Sequence, residues 1–248
     1  MSSGTGPALA GIPADRLESA RWREIINAAS DVIARRGLAS TRLMDVAEAA
    51  GVSLGLVQHY FRHRDQLITE TFGTLMSLST ATWQHVSEAE PDPVRRLFAL
   101  LQLHVSGSLS FERRWAFWVE LWSAAQRDAE LRARALRIYA DWHGPFEETL
   151  AAGVSAGVFR PGKPVGVIAV RLTSLIDGLA VRRLVDPGTV DATAMSEQLV
   201  DAACQELGIA PAEQARALAG LPKVIGMAYP GESAESPDID WSGFIAQP

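Results

Sequence analysis

The stretch Thr41–Leu67, TRLMDVAEAAGVSLGLVQHYFRHRDQL, limits the possible fold more than any other part of the chain. Two short helical patterns flank Gly51, and the second ends on the aromatic pair Tyr60-Phe61. Thr41 reads as the N-cap of the first, whose buried stripe is Leu43, Val46, Ala47 and Ala50. Small side chains at 47 and 50 let another helix approach closely. Gly51 supplies a left-handed backbone, Val52 plugs the angle, and Ser53 caps a second helix from Leu54 to about Phe61. Leu56, Val57 and Tyr60 or Phe61 are expected inside, leaving Gly55, Gln58 and His59 outside. A glycine turn between two short helices is the sequence form of a helix-turn-helix.

The remaining windows are filled by helix formers at helical spacing, and strand-type alternation is hard to find, so the predicted fold class is all-α. A first helix is predicted from about Asp15 to Arg36, ended by Gly37, with Leu17, Trp22, Ile25, Ile26, Ala29, Val32 and Ile33 as its buried stripe. Asp65 is expected to cap a fourth helix reaching about Glu88. Further helices are expected at 94–106, at 128–156 with a bend at Gly144-Pro145, at 164–185 and at 191–207. The predicted organisation is a flexible arm 1–14, a helix-turn-helix domain 15–66, a larger helical domain 67–209 and an acidic, Pro-containing extension 210–248. In that extension either disorder or docking of Trp241 and Phe244 on the body is open.

The chain carries a net charge of −6, which by itself does not suggest a nucleic-acid partner. The average conceals an asymmetry. Residues 1–66 hold eight Arg against seven acids, while the rest holds 15 basic and 22 acidic residues. A near-neutral front with Arg on selected faces can meet DNA, whereas the acidic remainder cannot be that surface. The single Cys204 excludes an intramolecular disulfide and a cysteine-based zinc site. The five histidines show no metal spacing, and there is no phosphate-cradling glycine loop or nucleophile elbow. No metal, no cofactor and no enzyme chemistry are expected. No apolar run is long enough for a membrane span and no secretion signal is visible, so the expected location is cytoplasmic.

Residues 41–67 resemble the N-terminal domain of TetR-family transcriptional repressors. The residues that carry the resemblance are Val46-Ala47-Glu48-Ala49-Ala50-Gly51-Val52-Ser53, Gly55, His59-Tyr60-Phe61 and Arg64 through Leu67, within a match over 21–75. The resemblance implies a homodimer that binds a double-stranded palindromic operator and releases it on binding a small molecule. It also implies which residues face DNA: Gly55, Gln58 and His59 at base edges or groove wall, Thr41, Arg42, Ser53, Tyr60 and Arg64 at phosphates, and Leu54 on the same surface, where it removes a phosphate contact that Lys would make. Three positions depart from the usual pattern. Leu54 and Arg64 stand where Lys is frequent, and Gln58 where Tyr is. The Gln58 amide can pair with adenine in the major groove, so the operator does not transfer from relatives.

Between 111 and 122 the run FERRWAFWVELW places Phe111, Trp115, Trp118 and Trp122 on one helical face. This run and Ile176-Asp177-Gly178-Leu179 resemble the ligand-binding domain of the BetI-like branch of the same family. Trp faces attract ammonium groups, and Glu120, Asp141 beside Trp142, and Asp177 supply nearby carboxylates. The candidate effector site is therefore Trp115, Trp118, Glu120, Trp122, Asp141, Trp142 and Asp177, for a cationic amine, against the plainer reading of these rings as core. The last two helices, with their apolar faces, suit a four-helix dimer interface. The rival reading is a helical protein–protein adaptor that retains the helix-turn-helix as scaffold; Arg42 and Arg64 beside exposed Gln58 and His59 favour DNA.

Overall fold

A computed structural model describes residues 12, 14–106, 109–228 and 239. Among these, all regular structure is helical: α1 (Ala14–Glu18), α2 (Ala20–Arg36), α3 (Leu43–Ala49), α4 (Leu54–Tyr60), α5 (Arg64–Ala89), α6 (Pro93–Val105), α7 (Phe111–Ala125), α8 (Ala129–Ser155), α9 (Val165–Val185), α10 (Ala192–Leu207) and α11 (Pro211–Ala228). The chain divides into two compact units, Met1–Ala81 with Ser108–Leu136 and Ser236–Pro248, and Thr82–Gly107 with Arg137–Glu235. The division falls within α5 and α8.

The first unit is built on α2, α3, α4 and α7. Trp22, Ile25, Ile26 and Ala29 of α2 meet Val46 and Ala47 of α3, Val57 of α4, and Phe61 and Leu67 in one apolar cluster. Burying each of the Ile, Val, Leu and Phe side chains contributes roughly 1.5–3 kcal/mol relative to exposure. The predicted single helix 15–36 is broken at Ser19. Its extended backbone ends α1, and its hydroxyl accepts from Trp22 N to cap α2. The same hydroxyl lies 2.8 Å from Tyr60 Oη, which ties the start of α2 to the end of α4. Gly51, at φ 64°, makes the turn between α3 and α4, and Ser53 caps α4 through Leu56 N.

The N-cap of α3 is Arg42 rather than Thr41. Asp45 accepts from Arg42 N at 3.1 Å, and Arg36 pairs with Asp45 at 2.6 Å. Thr41 is turned inward instead: it is 1% exposed and its hydroxyl donates to Gly37 O at 2.9 Å.

In the second unit α6 is the central element, buried along nearly its whole length and packed by α9, α10 and α11. Helix α8 (Ala129–Ser155) is the long helix expected over 128–156, with Pro145 inside it. The larger correction is α11. The segment read from its prolines as an irregular extension is helical over Pro211–Ala228 and packs on α6. Pro211 sits at the first helical position, where its missing N–H costs nothing. Ala217 is fully buried. Arg216 reaches Asp92 at 2.5 Å, while Arg95 pairs with the buried Glu90 at 3.0 Å. Those partners hold both carboxyls below their usual range against the opposing effect of burial. The expected arm 1–14, except for Ile12 and the start of α1, and the expected Trp241 and Phe244 contacts lie outside the described residues. Ile239 is described: it is 5% exposed in the first unit's core, and its N–H donates to Asn27 Oδ1 at 3.2 Å.

Candidate DNA-reading surface and effector site

Helix α4 is seven residues long, and its environment sorts its side chains cleanly. Val57 is fully buried, as is Phe61 just beyond it, so the opposite face is outward. Ser53, Leu54, Gly55, Gln58 and His59 are exposed there, with Arg42 exposed at the start of α3. His59 packs edge-on against Tyr60 at 5.4 Å. This places a thin, Gly-containing helix with an amide and an imidazole at its surface, the shape that enters a major groove.

Three of the expected phosphate contacts have internal duties. Thr41 points inward, as described. Tyr60 is half-buried against Ser19. Arg64 is half-buried, and its guanidinium donates to Thr41 O at 2.7 Å, to Leu38 O, and to Asp65 at 3.0 Å. It clasps the link between α2 and α3, an internal role that the sequence did not suggest. Sequence spacing placed these residues correctly along the chain; the direction of each side chain depended on packing between helices.

The candidate effector residues separate into the two units. Trp115, Trp118, Glu120 and Trp122 lie on α7 in the first. Trp115 is 3% exposed, 6.0 Å from Phe111 and 6.3 Å from Trp122, which makes it core. Trp118 and Trp122 are half-buried. Glu120 is not directed at a ligand: its carboxylate accepts from Leu38 N at 2.6 Å. Asp141, Trp142 and Asp177 lie in the second unit. Asp141 is exposed. Trp142 and Asp177 come together through Tyr139, a residue sequence reading passed over.

Tyr139 stacks on Trp142 at 5.7 Å, and its hydroxyl donates to Asp177 Oδ2 at 3.0 Å. Trp142 stacks on His104 at 4.9 Å and on Trp83 at 6.1 Å; Trp83 and His104 stack at 5.6 Å. Near Tyr139, at 5.9 Å, lies His143, whose Nε2 is 3.0 Å from Thr173 Oγ1. The rings are in mutual contact, so a cation would meet this group at an outer face or edge rather than between rings. Asp177 Oδ1 is buried and has no hydrogen-bond partner among the described residues. Burial pushes the Asp177 carboxyl up to about 7, with the Tyr139 hydrogen bond opposing the rise. An unpaired carboxylate is costly there. The available signal was the spacing of Tyr139, Trp142, His143 and Phe146 on one face of α8; Trp83, from a different helix, left none.

Among the described residues no group of His, Cys, Asp and Glu is arranged to hold a metal ion, and no helix is long and apolar enough to cross a membrane.

A helix-turn-helix with an exposed outer face on its second helix, followed by a second helical unit, is the architecture of a transcriptional regulator. Residues 25–71 match the family of bacterial regulatory proteins called tetR, and residues 93–208 match the C-terminal region of BetI-type transcriptional repressors. The chain belongs to the TetR family of transcriptional regulators. It is 29% identical over 194 residues to the HTH-type transcriptional regulator BetI of Rhizobium meliloti (strain 1021), covering 77% of this chain and 93% of that protein. A transcriptional regulator from Saccharomonospora viridis, solved in complex with choline, is 25% identical with a TM-score of 0.69, over 76% of this chain and 97% of that one. A TetR-family regulator from Rhodococcus sp. is 26% identical with a TM-score of 0.63, over 76% and 99%. The family and these relatives are regulators of transcription, not enzymes. Both family matches stop short of α11.

Proposed function

We propose that this protein is a cytoplasmic repressor that binds a palindromic DNA operator as a homodimer and leaves it on binding a cationic amine. The observation that carries the DNA half is the outward face of α4, with Leu54, Gly55, Gln58 and His59 exposed over the buried Val57 and Phe61. Two such faces in a two-fold dimer would read half-sites about one helical turn apart. Dimerisation is supported by α9, where Val167, Val170, Ser174, Gly178, Val181 and Val185 form an exposed stripe of small and β-branched residues. A mobility shift on the DNA upstream of its own gene tests this reading. Binding should fall steeply with salt, because phosphate contacts release counterions. A shift that is absent, or insensitive to salt, would favour the adaptor reading instead.

The amine half rests on Asp177. A buried carboxyl with one unpartnered oxygen, beside the Tyr139–Trp142–His104–Trp83 stack, suits a positively charged ligand with an apolar body. The ligand's charge would pair the ionised Asp177, and a ring face would add roughly 0.5–2 kcal/mol by cation–π attraction. The S. viridis protein crystallised with choline makes choline the first probe. Calorimetry with choline should give saturable heat that Asp177→Asn abolishes; heat from aromatic acids but none from amines would overturn this half.

A further inference from the structure

The link between α2 and α3, residues 37–42, is six residues long, and two charged side chains from other helices hold its backbone. Gly37, at φ 79°, ends α2. The next N–H, of Leu38, donates to Glu120 Oε2 of α7 at 2.6 Å. The carboxylate lies so close that a Cβ on Gly37 would stand 3.2 Å from it. From the other side, Arg64 of α5 donates to the carbonyls of Leu38 and Thr41. Seven residues before Glu120, Arg113 donates to Asn27 Oδ1 at 2.8 Å and to Ser30, in the middle of α2. Helix α7 therefore grips α2 at its centre and at its exit, and only the exit contact falls on the link that aims α3 and α4.

We propose that Glu120 is a positioning residue for DNA recognition. Held on the Leu38 N–H, it fixes the link 37–42 and so the angle at which α3 and α4 leave α2. It is also the point where a displacement of α7 reaches the reading helix, a consequence that rests on the effector reading above. A hydrogen bond to an ionised acceptor is about twice as strong as a neutral one, enough for one contact to set a loop's conformation. Side-chain reach matters as much as charge, because the acceptor must arrive at a backbone group on another helix's exit.

The test compares Glu120→Ala, Glu120→Asp and Glu120→Gln in the full chain. Each is measured for operator and nonspecific DNA affinity, choline binding and thermal melting. Glu120→Ala should weaken operator binding about tenfold, the scale of one charge-assisted hydrogen bond. Nonspecific affinity and the choline isotherm should stay within about twofold. Glu120→Gln, which keeps the acceptor and the length but not the charge, should recover part of the loss; Glu120→Asp, which keeps the charge but not the reach, should recover less. With choline present, the wild type should lose operator affinity and Glu120→Ala should lose less. Wild-type operator affinity in Glu120→Ala would overturn the proposal. So would an equal fall in specific and nonspecific binding, or loss of choline binding with DNA binding intact. If the wild type ignores choline, the effector reading fails, while the three variants on DNA alone still decide the positioning role.

Discussion

At the residue scale, two acidic side chains in apolar helices have different fates. Glu120 finds a backbone donor, and Asp177 finds only half of its complement. The Asp177 carboxyl titrates near 7 folded and near 3.8 unfolded, so between those values the folded state holds the extra proton. Its contribution to stability is present in acid and is lost as pH rises through about 7. Asp177→Asn should therefore raise the melting temperature at pH 8 relative to the wild type and bring no such gain at pH 4; scanning calorimetry at the two pH values checks this. A bound amine reverses the preference, since it pairs with the ionised carboxyl. Choline affinity should fall as pH drops below about 7, with proton release seen as a dependence of binding heat on buffer. His143 lies 5.9 Å from Tyr139, and the same profile in His143→Gln checks that the dependence belongs to Asp177. On α4, the double change Gln58→Ala with His59→Ala should weaken operator binding more than nonspecific binding, measured by competition mobility shift.

At the element scale, caps and buried small residues decide where helices stop and meet. Ser19 breaks what the apolar stripe presents as one helix, because its hydroxyl serves both Trp22 N and Tyr60. Helix α11 shows the opposite error: prolines suggested interruption, yet Pro211 sits at a helix start and Pro222 lies within the helix. Ala217 is fully buried on this helix, which packs against α6. Ala217→Glu should cost at least ~2 kcal/mol by burying an uncompensated charge or undocking the helix. Thermal unfolding followed by circular dichroism would show this as a lowered midpoint.

At the scale of the whole molecule, the exposed valines of α9 are the feature that a single chain leaves unexplained. Val185 is 80% exposed, which is unusual for a large apolar side chain at a helix end. In a two-fold pair these residues would face their own copies. Val170→Glu with Val181→Glu should shift the protein toward monomer in sedimentation equilibrium. It should also reduce operator affinity far more than affinity for a single half-site, because a monomer contributes one reading helix.

The all-α class and the outward face of α4 were legible in the sequence, because they rest on local periodicity and on a glycine turn with fixed spacing, and the family was legible as a resemblance of residues 41–67. Leu54, Gly55, Gln58 and His59 are outward for the same reason that Val57 is inward, and one short helix shows both. The destinations of long side chains were not legible. Arg64 and Glu120 each span a gap between helices to reach backbone groups, and Tyr139 connects Asp177 to a stack that begins at Trp83. Such partnerships join positions from 23 to 82 residues apart in sequence in a short-range contact. Local sequence dictates which face of a helix is buried. Only the packing of one helix on another decides which polar group a buried charge will find.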